Sequence, residues 1–492
     1  MTALAADPAP AHGRRIRSLV FLSLTFIAGA ALLWWMVVPD NPFRDAPVMG
    51  TLLSWLLLVP AVKLLRHVTR RRVSAIVLAG TVLLGLVAAS SPPRTSNDSA
   101  RYAWDGIVQK AGISPYAFVP VDETISELRP AWLFAPGTLD DNGNPTCSKS
   151  LFGTESIAAT GFPSGEALCT AINRPHVPTI YPPTAELYFL GVRATVPDNV
   201  AFLPFQLGGL VISVAVTLLL LRTLSRLGLP LHLAAAWAWS PFVMLEAVNN
   251  AHVDVLAGAL ILAAGLLLIR GKPLTSGAAF GAAVATKLIP VIAAPALLFH
   301  RPARFITSAI ATFVLLYVPY IAIAGYGVLG FLPGYLKEEG YSQSDGIRFG
   351  LAQLVSTGPW PAVISAGALA MIAVVVLSRS QASTLWENQT VMIGLTLLIV
   401  SPNYPWYALM LLPFIVLSRR WEYVAVIIAL DVIYMVPKSE ALSDTINQSV
   451  LLGALAAVAI GAWLRCRQNL HDSAVTALLA ENETASPLID KG

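Results

Sequence analysis

The sequence predicts an all-α polytopic membrane protein: a bundle of about twelve transmembrane helices plus a re-entrant hairpin, with large loops gathered on one side. Three observations predict it. Of the 492 residues, 56% are hydrophobic and 12% charged, against roughly 25% charged in an average soluble domain, so lipid must solvate much of the surface. Apolar runs long enough to cross a bilayer recur along the chain. Lysine and arginine collect in alternate connections between those runs.

Residues 1–17 form a short basic N-terminus with Arg14, Arg15 and Arg17 ahead of an apolar run. That run, Ser18 to Val38, is long and lacks a small-residue cleavage site, so it reads as an uncleaved first span rather than a signal peptide. Met49 to Leu65 and Val73 to Ser90 complete the first three spans, within residues 18–91. Residues 92–201 are a large outer loop. The remaining spans occupy 202–470: Phe202 to Leu221, Leu231 to Val248, Val253 to Ile269, Phe305 to Ala324, Ala362 to Leu377, Val391 to Val400, Tyr407 to Leu417, Tyr423 to Val436 and Ser449 to Leu464. A second outer loop lies at 326–350 and a polar tail at 471–492.

Orientation follows from the short connections. Arg66, Arg70 to Arg72, Arg222, Arg226, Arg270, Lys272, Arg301, Arg304, Arg419 and Arg420 mark one set as cytoplasmic. The opposite set is poor in positive charge. An even number of spans then puts both termini in the cytoplasm and both long loops outside a multi-pass cell-membrane protein. A single crossing from Thr275 to His300 would place Arg301 and Arg304 outside, and Pro290 and Pro295 break its helix, so a hairpin entering and leaving from the cytoplasmic side fits better than one kinked helix. The net charge of +4 has its explanation in these loops and does not imply nucleic acid.

The outer loops hold most of the polar chemistry. After the third span comes Asn97 to Gly106. If this stretch is helical, Asp98, Arg101, Tyr102 and Asp105 share a face, because separations of three, four and seven residues return to one side. A carboxylate at a partly dry surface can act as a base, while Tyr102, Trp104 and Tyr116 offer flat faces to sugars and lipids. The structural alternative is a solvated helix entry capped by Asp98, with Asp105 paired to Arg101. Asn173 to Pro183 is a stiff proline strip that displays His176 and Tyr181, or simply a rigid loop. Between the fifth and sixth spans, Glu246, Asn250, His252 and Asp254 sit at or below the interface, where ionisable groups face a cavity or one another; a hydrogen-bonded cluster tying two helices is the alternative.

Lys287, inside the expected hairpin, can hold a phosphate or reach the headgroups, and Arg348 is the other cation able to reach an external phosphate. Tyr404 and Trp406 form part of an aromatic turn, or an interfacial belt. Of the three cysteines, Cys147 and Cys169 share the first outer loop and can pair in an oxidising compartment. Neither a nucleotide-binding glycine loop nor a metal-ligand spacing is present.

In their order along the chain these motifs resemble the GT-C superfamily of polytopic glycosyltransferases, in particular the branch of glycosyltransferase family 87 and polyprenyl-phosphomannose-dependent alpha-mannosyltransferases. The resemblance rests on Asp98 with Arg101-Tyr102 and Trp104-Asp105-Gly106, on Gly112 to Tyr116, Pro178 to Pro183, Asn250 to Asp254, Thr286-Lys287 with Pro290, and Pro402 to Tyr407. It implies inverting transfer of a sugar, mannose ahead of arabinose or glucose, from a polyprenyl-phosphate donor to a glycolipid or lipoglycan on the outer face. Asp98 matches the general base and Asp105 is its reserve; Arg101, His252, Lys287 and Arg348 compete for the donor phosphate. Tyr102, Trp104, Tyr116, His176, Tyr181, Glu246, Asn250, Asp254, Tyr404 and Trp406 are then the sugar- or lipid-binding candidates. Such an enzyme needs no nucleotide sugar, and no cofactor is firmly implied, with room for a divalent cation. The competing class is a transporter or flippase for a lipid-linked sugar, which should show paired repeats and discontinuous helices in both halves.

Overall fold

The computed structural model describes residues 9–38, 47–147, 157–159, 167–330, 332, 334, 348–436 and 443–485. Positions 148–156 and 160–166 of the first expected outer loop, 331, 333 and 335–347 of the second, and 1–8 and 486–492 of the expected cytoplasmic ends lie outside the described residues. The structure is 72% helical, with almost no sheet among the described residues. Among the described residues, seven helices are long and apolar enough to cross a membrane, or eight if one bent pair is a single span.

The first three spans are α1 (Ala9–Val37), α2 (Pro47–Leu64) and α3 (Arg70–Ala88). A short linker leads from α3 to α4 (Asp98–Lys110), and α5 (Pro183–Ala194) packs on α4. Packing is closest at Gly106, where an added Cβ would lie 2.6 Å from the carbonyl oxygen of Phe189 and 2.5 Å from Arg193 Cγ. Between these helices runs the first loop, with short strands β1 (Phe134–Pro136), β2 (Thr138–Leu139), β3 (Pro145–Thr146), β4 (Ile157–Ala159) and β5 (Leu168–Thr170). Strands β1, β5 and β4 form one antiparallel sheet in that order, with Phe134 opposite Thr170, and β2 pairs with β3. A disulfide joins Cys147 to Cys169 on β5 and ties the two sheets together.

After α6 (Leu203–Arg226) the expected continuous span from Leu231 to Val248 is broken. It divides into a 3₁₀ run at Leu231–Ala234, α7 (Ala235–Ala238) and a π-helical turn at Val243–Asn249, bent by 58°. The physical reason is Pro241, which has no N–H to give the helical ladder and whose ring crowds the preceding turn. The widened π turn lies close against α6: a Cβ on Gly209 would fall 1.8 Å from the carbonyl oxygen of Ala247.

Beyond α8 (Asp254–Ile269), α9 (Pro273–Val284) ends beside α5, where Thr184 N donates to Ala285 O at 2.8 Å. The chain then turns at Lys287 into a 3₁₀ run, Ile289–Leu297, and comes back to the level at which α9 began. There α10 (Pro302–Ala324) starts and runs parallel to α9, with Gly277 against Phe305 and Gly281 against Ala309. A short α11 (Gly350–Gln353) precedes α12 (Trp360–Ser378) and α13 (Leu385–Val400). The expected span Tyr407 to Leu417 is a 3₁₀ run, Pro405–Met410, followed by α14 (Leu412–Ser418), since the prolines at 405 and 413 prevent one regular helix. Helices α15 (Val424–Met435) and α16 (Ser443–Ala485) complete the bundle.

Candidate active site

The site forms where α4, the proline strip, the start of α8, the Lys287 turn and the Pro405–Met410 segment meet. The linker into α4 is fixed first. Asn249 Nδ2 donates to Ala88 O at 2.9 Å and its Oδ1 accepts from Arg94 N at 2.9 Å. Asn250 Oδ1 accepts from Thr95 N at 3.1 Å, while its Nδ2 reaches Thr95 Oγ1 at 2.7 Å and Glu246 Oε2 at 3.2 Å. Gln206 Nε2 donates to Ser91 O at 2.9 Å, and Tyr434 donates to Thr95 O. The π turn is what turns both asparagines toward this linker, consistent with the frequent use of such turns at functional sites. Ala251, with φ of 57°, takes the chain abruptly out of it.

Asp98 occupies the first turn of α4. Asn173 Nδ2 donates to its Oδ1 at 3.2 Å, and His252 Nδ1 lies 3.5 Å from its Oδ2. On its other edge the same imidazole has Nε2 at 3.2 Å from Glu246 Oε2, and its face stacks on Trp406 with ring centroids 3.7 Å apart. Neither imidazole nitrogen makes a well-aligned hydrogen bond, so these are charge contacts between a ring and two flanking carboxylates. Burial alone would favour neutral imidazole, but Asp98 and Glu246 outweigh it and raise the His252 pKa. Burial likewise works to lift the Asp98 pKa; His252, Lys287 and Asn173 overcome it and hold the carboxyl down at about 2.

Asp98 opens onto a cavity of about 340 Å³. Around it stand Arg101, Arg174 and Lys287, with Tyr181, Tyr404 and Trp406 among the apolar and aromatic walls. Lys287 Nζ pairs with Asp254 Oδ2 at 2.9 Å and lies over the ring of Tyr407 at 4.6 Å from its centroid. Arg101 Nε pairs with Asp105 at 2.9 Å, its Nη1 donates to Val177 O at 3.0 Å, and its buried Nη2 has no hydrogen-bond partner. That leaves one donor of a cavity-lining guanidinium uncommitted, an arrangement suited to an anion's oxygen.

Of the sequence candidates, Asp98, Arg101, Tyr181, Lys287, Tyr404 and Trp406 line the cavity. His252, Glu246, Asn250 and Asp254 are buried immediately behind it, engaged as above. The others stand apart from its lining. Asp105 is buried behind Arg101; Tyr102 is stacked on Phe189 at 4.4 Å; Trp104 packs edge-on against Phe134; Tyr116 donates to Tyr181 O; His176 is exposed; and Arg348 is buried beside Phe349, whose N–H donates to Val400 O. Among the described residues no group of three or more His, Cys, Asp or Glu side chains is arranged to hold a metal ion.

Sequence reading passed over three participants. Asn173 touches Asp98, and Arg174 lines the cavity from a strained backbone with φ of 57°, the kind of outlier that collects at functional sites. Glu186, on α5, accepts from Thr179 Oγ1 at 2.7 Å and Gln109 Nε2 at 2.8 Å beneath Arg101. Burial, then the neighbouring Asp105, push the Glu186 pKa well up; burial also raises that of Asp105, against the pull of the Arg101 guanidinium paired with it. The hydrophilic Asn-Arg step before Pro175 was a visible signal for the first two. Glu186 lay within an ordinary amphipathic helix.

Comparison with known families gives one match: residues 179–402 fit the family model described as glycosyltransferase family 87, a little under half of the chain. The matched stretch includes Tyr181, the asparagine pair, His252, Lys287 and Arg348, and begins after Asp98. No curated protein and no solved structure matches the chain.

Proposed function

We propose that this chain is a family 87 glycosyltransferase, a GT-C type membrane enzyme, and that it transfers mannose from a polyprenyl-phosphate donor to a glycolipid or lipoglycan acceptor, with inversion to an alpha linkage. The observation that carries this reading is a single oriented carboxylate, Asp98, sharing one cavity with Arg101, Arg174 and Lys287. An inverting transfer needs a base on the acceptor side and positive charge for the departing phosphate, and here both face the same space.

In the reaction, an acceptor hydroxyl loses its proton to Asp98 as its oxygen attacks the anomeric carbon. The bond from that carbon to the phosphate oxygen breaks, and the phosphate keeps the electron pair. Arg101 Nη2, Arg174 and Lys287 stabilise the charge that builds there, with the greatest effect where water is excluded. In the unliganded site Asp98 is a weak base because its pKa is held at about 2. A donor phosphate seated on Lys287 offsets the lysine's field at Asp98, so donor binding raises the basicity of the carboxylate when the acceptor arrives. Tyr181, Tyr404 and Trp406 supply walls for the sugar ring. His252 is fully buried behind Asp98 and absent from the cavity lining, which favours a positioning role over direct contact with phosphate.

The arginine-rich connections are cytoplasmic in this reading, which puts the cavity on the outer face with both termini inside. Seven helices, or eight with the bent pair, are long and apolar enough to cross; counting the shorter apolar helices Asp254–Ile269, Leu385–Val400 and Pro405–Ser418 together with α15 as further crossings gives the twelve of this reading. The turn from α9 into its returning 3₁₀ run supports reading this segment as a re-entrant hairpin with Lys287 at its tip.

The test is a donor panel. Purified full-length protein in nanodiscs receives polyprenyl-phosphate mannose, glucose or arabinose with a glycolipid acceptor, and the product's anomeric configuration is read by NMR. Alpha-linked mannose is the expected product. A beta linkage rejects inversion from a beta-linked donor, preference for another sugar rejects mannose, and flipping of the donor without transfer favours the transporter.

A further inference from the structure

The end of the bundle away from Asp98 carries a second concave site. Residues 63–73 and 222–232 contain seven lysines and arginines and no aspartate or glutamate. They are distant in sequence, yet the packing of α3 against α6 and of both against the Leu231–Ala234 run brings them together. Arg70 Nη2 donates to Ser225 Oγ at 3.3 Å, and Arg66 Nε donates to His67 Nε2 at 3.1 Å; neither partner is an anion. A cavity of about 310 Å³ lies between the two segments, with Arg66, Arg70 and His232 along it and Leu65, Val68 and Leu231 as apolar wall.

We propose that this cavity binds the headgroup of an anionic phospholipid, with Arg66 and Arg70 on the phosphate and the apolar wall against the start of the acyl chains. Membrane orientation by positive charge needs only basic residues in a connection. Here the charges surround a hollow with an apolar side, and basic pockets between transmembrane helices are where anionic headgroups are held. Among the described residues no carboxylate pairs with Arg66 or Arg70; like charges gathered in this way repel one another, and a bound anion relieves that repulsion. A lipid suits the site better than free phosphate because Leu65, Val68 and Leu231 give the cavity an apolar wall, and Leu227, beside it on the chain, is an exposed apolar residue. The two cavities share elements. The far end of α3 is held by Asn249 through Ala88 O, and Gln206 near the start of α6 holds Ser91 O, so both helices end on the linker that presents Asp98.

Native mass spectrometry of the full-length protein in detergent tests this, using phosphatidylglycerol, phosphatidylcholine of the same chains, and inorganic phosphate. Phosphatidylglycerol should be retained at least about tenfold more tightly than phosphatidylcholine, with the preference lost in R66Q/R70Q and kept in R419Q. Val68→Trp, which fills the apolar wall and leaves every charge in place, should lose it too, and this reads the site even if the double variant fails to fold. Equal retention of the two lipids, an unchanged preference in R66Q/R70Q or Val68→Trp, or displacement of phosphatidylglycerol by equimolar phosphate would overturn the proposal. The readout is lipid binding, so it stands apart from whether the outer cavity transfers mannose.

Discussion

Asp98 is gripped on both carboxylate oxygens, by Asn173 at 3.2 Å and by the edge of His252 at 3.5 Å, and the imidazole is in turn backed by Glu246. The two pKa shifts have opposite signs and separate consequences. The folded-state pKa of Asp98 is depressed from 3.8 to about 2, so its charge contributes stability above pH 3.8 that is lost as pH falls through 2. That of His252 is raised above 6.5, so its contribution is complete below pH 6.5 and is lost as pH climbs through the higher folded value. The melting temperature should therefore decline as the solution is made alkaline from pH 6.5, and His252→Gln should flatten that decline; an equal decline in both proteins would show that the imidazole is not held as a cation. Lys287→Met should weaken donor binding, raising donor KM about tenfold or more while the acceptor KM stays within twofold. Equal shifts in both constants would point to general disruption. Asp98 was legible as a candidate because it begins a run with helical spacing next to aromatic residues. The role of His252 was not, because only the fold reveals that Trp406 covers it and that Glu246 lies on its other side.

At the scale of elements, placement of the site depends on two helix contacts too close for a side chain. Gly106 sits against the backbone of Phe189 and Gly209 against that of Ala247, with an added Cβ at 2.6 Å and 1.8 Å respectively. Gly209→Ala must push α6 off the π turn that carries Asn249 and Asn250. It should cost on the order of 2 kcal/mol or more of stability and lower transfer by loosening the linker into α4, both readable by thermal unfolding and initial rate. Wild-type values in both would mean that the π turn does not position α4. The long apolar helices were legible from composition and length, and α4 from the spacing of Asp98, Arg101, Tyr102 and Asp105. The bend at Pro241 could be read from proline chemistry. The π turn could not, since it needs one extra residue per turn within a run whose hydrophobic pattern is continuous.

Across the whole molecule, the described residues between α4 and α5 carry two small sheets. These sheets are joined by Cys147 and Cys169, which close a loop of 22 residues. Replacing both cysteines by serine should lower stability by roughly 3 kcal/mol on the loop-entropy account and leave kcat within a few-fold, because neither sulfur lines the cavity. A large loss of kcat at intact fold would tie the sheets directly to the reaction. The family match reaches Arg348 but begins at Thr179, beyond the helix that bears Asp98. The base is therefore supported by the shared cavity and by the order of motifs along the chain. The most direct measurement is transfer of labelled mannose from polyprenyl-phosphate mannose to glycolipid by purified wild-type and Asp98→Asn protein, with donor binding measured on the same samples. Transfer should fall by roughly 10²-fold to 10⁴-fold with donor affinity kept within a few-fold. Transfer by Asp98→Asn at the wild-type rate would contradict a role for Asp98 as the base.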